Sequence, residues 1–174
     1  MFISLVKGYH MSPMLAIASA AITAALALYT AGVLTERRLG HLDGRILALF
    51  WAGLACDTTG TTLMSAMARS GAAGAPAIHG VTGAAAIVLM LFHAGWATLV
   101  WLRGRRHDAG ALERERTFHR FSTVVWLLWL VPYIIGLLVG VPMLHLRTVC
   151  AVGTSLVAVA ALAWAMLRPR HAAA

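Results

Sequence analysis

His79 and His93 stand fourteen residues apart. Fourteen helical steps of 100° make nearly four full turns, so both imidazoles project from one face, roughly 21 Å apart along the axis. That spacing lets one helix offer an imidazole to each of two haems stacked across a bilayer, since haem iron takes a neutral imidazole nitrogen as an axial ligand. Gly83, Ala86, Met90 and Ala97 share the face, and small residues admit a flat macrocycle close to the backbone. His93 falls near the middle of its apolar run, where an unpartnered histidine is costly. For His79 the plainer explanation is a cap at the membrane interface. His119, at the start of the next apolar run, is the leading second ligand for a haem on His93. It sits nearer an interface, a mismatch of roughly 10 Å that a helix tilt of about 20° would partly close. On the other side His79 pairs with His145 or His10 in the same scheme. The sequence therefore predicts haem b, one or two per chain.

Asp57 lies at the centre of another apolar run, within Cys56-Asp57-Thr58-Thr59-Gly60-Thr61-Thr62. A carboxyl group inside a membrane is protonated, paired or hydrated. At a depth close to that of His93, it is placed to hydrogen-bond the imidazole and fix its tautomer, or to relay protons with Thr58 and Thr61. Satisfaction by the threonine hydroxyls alone is the structural alternative, and threonines commonly join membrane helices. Glu36, Asp43, Asp108, Glu113 and Glu115 read as loop or helix-end residues, which leaves no carboxylate pair in the membrane. Cys56 and Cys150 lack CxxC spacing and read as small buried hydrophobes. His41, His107 and His171 fall in charged loops or the tail. No phosphate-binding glycine loop, GxSxG or HExxH occurs.

Helices must position these groups. Of the 174 residues, 60% are hydrophobic and 11% charged, with a mean hydropathy of +0.80; soluble domains carry about 25% charged residues. Five runs, at about 13–35, 46–68, 79–102, 118–141 and 146–167, reach the roughly 20 residues needed to span hydrocarbon. Each satisfies its backbone there only as a helix. The expectation is one all-α transmembrane bundle. The first run exceeds the roughly 7–15 residues of a cleaved signal core. The net charge of +8 points to membrane orientation and anionic headgroups, not to nucleic acid. Lys7, Arg69 and Arg147 lie on the side of the N-terminus, and the other eleven of the 14 basic residues lie opposite. The positive-inside rule then puts the N-terminus outside and the C-terminus in the cytoplasm. Trp101 and Trp164 suit an interfacial belt, while Trp51, Trp96, Trp126 and Trp129 lie deeper. The stretch from Gly104 to Arg116 reads as the longest and most charged connection.

The stretches LYTAGVLTER (Leu28 to Arg37), FWAGLACDTTGTTLM (Phe50 to Met64), HGVTG (His79 to Gly83), LMLFHAGWA (Leu89 to Ala97) and FHRFSTVVWLLWLVPYIIG (Phe118 to Gly136) resemble the HsmA family. These are small bacterial membrane proteins described as haem-binding and linked to haem and oxidative stress. The resemblance covers about residues 20–140, so the fifth helix and His145 lie outside it. It implies haem binding and a place in the bacterial inner membrane, with Asp57, His79, His93 and His119 on family-like segments. The expected function is redox or electron transfer, with a quinone or a redox protein as partner, or haem sequestration. Two rivals remain: a proton-coupled transporter using Asp57 and His93, and a cofactor-free membrane scaffold.

Overall fold

In a computed structural model, residues 12–70, 77–105, 110–140 and 147–167 are described. Their regular structure is entirely α-helical: α1 (Pro13–Leu39), α2 (Gly44–Arg69), α3 (Ala77–Arg105), α4 (Ala111–Gly140) and α5 (Thr148–Leu167). All five are long and apolar enough to cross a membrane. Even α5, with 20 residues, rises about 30 Å, the thickness of the hydrocarbon core.

Local chemistry sets the ends. Ser12 caps α1 by accepting the Leu15 amide at 3.2 Å, with Pro13 in the first turn. Gly40 closes α1 in the left-handed region at φ 70°, donating its amide to Glu36. A residue with a Cβ would be strained in that conformation. Asp43 caps α2 through the Ile46 amide at 2.8 Å. The largest departure from the sequence reading is α4, which begins at Ala111 and not near Phe118. Hydropathy marks where lipid begins, whereas Ala, Leu, Glu and Arg continue a helix into the polar layer. Residues 111–116 of the expected charged loop are therefore the first turns of α4.

Helices α1, α2, α3 and α4 form a closed ring, because each packs on the next and α4 returns to α1; α5 packs on α4 outside it. The α1–α2 seam is the tightest. At Gly53 an added Cβ would stand 2.7 Å from the Tyr29 ring, so only glycine admits that close approach. Tyr29, Phe50, Met90, Phe118 and Trp129 fill the core between the ring helices. Trp126 and Trp129 are buried as expected of deep residues, but Trp51 is 43% exposed on the outside of α2.

Arg37 fastens α5 at one end. Its guanidinium donates to the Thr123 hydroxyl at 3.2 Å and to the Met166 carbonyl at 2.8 Å. The carbonyls of the last helical turn have no partner within their own helix, so a cation there satisfies one and complements the dipole. Replacing Arg37 by alanine is expected to destabilise the docked α5 by about 1 kcal/mol. Faster hydrogen exchange confined to the end of α5 would register it, and uniform exchange across all five helices would contradict it.

Candidate functional site

Among the described residues, two buried polar groupings lie within the ring of four helices. The first belongs to Asp57, 4% exposed on α2. Its Oδ2 accepts the Trp129 indole N–H from α4 at 2.8 Å, and the Thr61 hydroxyl, one turn along α2, also bonds the carboxyl. Tyr29 stands edge-on to Trp129 with ring centroids 5.1 Å apart. Tyr133 stacks on Trp129 at 5.5 Å.

The expected Asp57–His93 hydrogen bond is not formed; the structure gives each group another partner. Thr58 also departs from the expected role. It follows Asp57 by one residue, 100° around the helix, and is exposed. With Trp51, Thr59 and Thr62 it lines an open groove on the outer side of α2. Thr61 alone of the two predicted threonines serves the carboxyl.

The second grouping surrounds His93, which is fully buried on α3. Phe118 lies flat against the imidazole, with centroids 5.2 Å apart and planes 9° from parallel. Phe50 meets it edge-on at 4.5 Å. Nε2 is 3.0 Å from the Ser122 hydroxyl of α4, and Nδ1 has no hydrogen-bond partner. Ser122 also lies against the carboxyl of Glu36 on α1, which is 2% exposed. Glu36 Oε1 is 3.3 Å from Nδ1 of His119, whose side chain is 33% exposed; Oε2 has no partner.

No hydrogen bond or ring contact joins His93 to His119, and each is held by a different polar partner. Ser122 comes three residues after His119, about 4.5 Å further along α4. It spans part of the depth mismatch that separates the two histidines. Glu36, read from sequence as a helix-end residue, is a buried member of the site. Its signal was present: Ala25, Tyr29, Gly32 and Glu36 repeat at helical spacing, and all are buried.

α3 is one continuous helix containing both His79 and His93, as the spacing argument requires. Only the backbone of His79 is described, and His145 and His10 lie outside the described residues. Ala86, Met90 and Ala97 are buried and Gly83 faces Thr61, so this small-residue face serves helix packing.

The side chains fit haem in part. A buried imidazole with one unpartnered nitrogen, in an apolar aromatic shell, is the donor that haem iron takes. The packing around it is closed, with Phe118 and Phe50 covering the ring. Among the described residues, no three His, Cys, Asp or Glu side chains gather to hold a bare metal ion. No protein-family model, curated protein or solved structure matches this chain.

Proposed function

We propose that this multi-pass membrane protein binds one b-type haem through His93, in a redox or haem-sequestration role. The observation that carries the reading is the His93 imidazole itself. It is wholly enclosed in the bundle, yet one nitrogen lacks a partner. Buried polar atoms are nearly always satisfied, and an orphaned one in a membrane core is a mark of function. The resemblance to the HsmA family supports the same assignment.

Phe50 and Phe118 are the residues that must swing aside to expose the ring. When bound, haem supplies one-electron chemistry, and the aromatic shell excludes water from it. By the positive-inside rule the arginine-rich end of the bundle faces the cytoplasm, and the resemblance to the HsmA family implies a bacterial inner membrane. That end carries Arg37, Arg38, Arg45, Arg103, Arg105, Arg114, Arg116 and Arg120. A quinone or a redox protein is the partner if the role is electron transfer.

Titrating purified protein with haem tests the assignment. Wild type and His119→Ala are expected to develop a Soret band at one equivalent, whereas His93→Ala is not. Equal binding by His93→Ala would move the site elsewhere.

A further inference from the structure

We propose that the arginine-rich end of the bundle holds one phosphatidylethanolamine headgroup, a phosphate beside a primary ammonium, in a cavity where α3 ends and α4 begins. The cavity has a volume of about 250 Å³. Pockets that enclose drug-sized ligands run from roughly 300 to 1,000 Å³, so this one suits a headgroup whose tails stay in the bilayer. Arg105 and Glu115 line it together with Leu42, Val100, Trp101 and Gly104. Arg105 is the last residue of α3, and Leu42 stands in the turn between α1 and α2. Both mark the end of the apolar layer, where phospholipid headgroups lie.

The two charges in the cavity are held apart. The Arg105 guanidinium lies over the Trp101 ring, 4.9 Å from its centroid. The face of an indole attracts a cation and leaves the guanidinium N–H groups for another partner. Glu115 Oε1 accepts the Leu42 amide at 2.7 Å, which fixes the carboxylate and leaves a second oxygen to accept. Among the described residues the ion pair is His119–Glu36, and neither Arg105 nor Glu115 takes part in one. One cavity therefore presents a cation and an anion that do not neutralise each other, and a zwitterion completes both.

That pattern selects among phospholipids. Phosphatidylglycerol satisfies Arg105 with its phosphate and leaves Glu115 without a cation. The quaternary ammonium of phosphatidylcholine carries no N–H for the carboxylate. Phosphatidylethanolamine brings its phosphate to the guanidinium and its ammonium to Glu115, and both contacts are charge-assisted. Leu42 and Val100 give the glycerol end an apolar wall. Arg45 and Arg103 are exposed at the same end and raise the general attraction for phosphate, but they do not line the cavity. The site is separate from His93 and stands whether or not haem binds.

Native mass spectrometry of the full-length protein reads the preference, with the three lipids offered in equal amounts and with matched acyl chains. One retained phosphatidylethanolamine per chain is expected, favoured about tenfold over phosphatidylglycerol, since a hydrogen bond to a charged group contributes at least that factor. Glu115→Gln keeps an oxygen for the Leu42 amide and should bring these two lipids to parity. Arg105→Gln should weaken retention of all three by about tenfold. Arg38→Gln removes a charge from the same end, outside the cavity, and should leave the preference intact. Unchanged helical circular dichroism would verify that the variants keep their fold. Phosphatidylglycerol retained by wild type as well as phosphatidylethanolamine, a preference that survives Glu115→Gln, or one lost equally in Arg38→Gln would overturn the assignment.

Discussion

Replacing Trp129 by phenylalanine should lower the unfolding free energy of the bundle by about 2 kcal/mol, because it leaves a buried carboxyl without its indole donor. Asp57 is 4% exposed, and the Trp129 N–H reaches it at 2.8 Å. Phenylalanine keeps an aromatic surface for Tyr29 and Tyr133, so the loss falls chiefly on the hydrogen bond. Trp126 provides an internal comparison. Its indole donates to the Thr30 hydroxyl at 3.2 Å in a part-buried setting, and Trp126→Phe should cost less than about 1 kcal/mol. Adding Asp57→Leu to Trp129→Phe removes the stranded carboxyl and should recover part of the loss, a coupling measurable as a double-mutant cycle. Denaturant unfolding in detergent supplies the four free energies. Strict additivity would mean that Asp57 draws its stabilisation elsewhere.

Gly53→Ala should be about as damaging, costing roughly 1–3 kcal/mol through overpacking. The new Cβ would lie 2.7 Å from two carbons of the Tyr29 ring, closer than carbon atoms pack. Tyr29 is fully buried and stands against Trp129, so relief requires α1 and α2 to separate or Tyr29 to press on the Asp57 partner. A shift in tryptophan fluorescence should accompany the lost stability. Gly104→Ala is the control, since no atom lies within 4 Å of its added Cβ. Equal stability of the two variants would show that the seam is looser than described.

The five spans were legible because lipid requires a long apolar run for each helix, and the sequence supplies five. The start of α4 was not, because the charged turn from Glu113 to Thr117 leaves the apolar layer without leaving the helix. His93 and Asp57 could be singled out from chain position alone, being polar groups in the middle of apolar runs. Their partners could not. Trp129 and Ser122 reach them from α4, and the rotation of one helix against another is set by packing such as the Gly53–Tyr29 contact.

Glu36 lies in the last turn of α1, as the sequence reading has it, and only its burial was missed. Its neighbours Arg37 and Arg38 made it look interfacial, whereas its spacing from Gly32 and Tyr29 turns it inward. His119 was placed on the expected side of the bundle, but Glu36 engages its ring. His93 is thus the proposed haem ligand, while His119 pairs with Glu36 nearer the arginine-rich surface.

The most direct test of the haem assignment is the visible spectrum of protein purified from its membrane, oxidised and then reduced with dithionite, beside His93→Ala. A Soret band with reduced α and β bands, absent from the variant, is the predicted result. A wild-type protein that is colourless and remains so after haem is added would contradict the assignment.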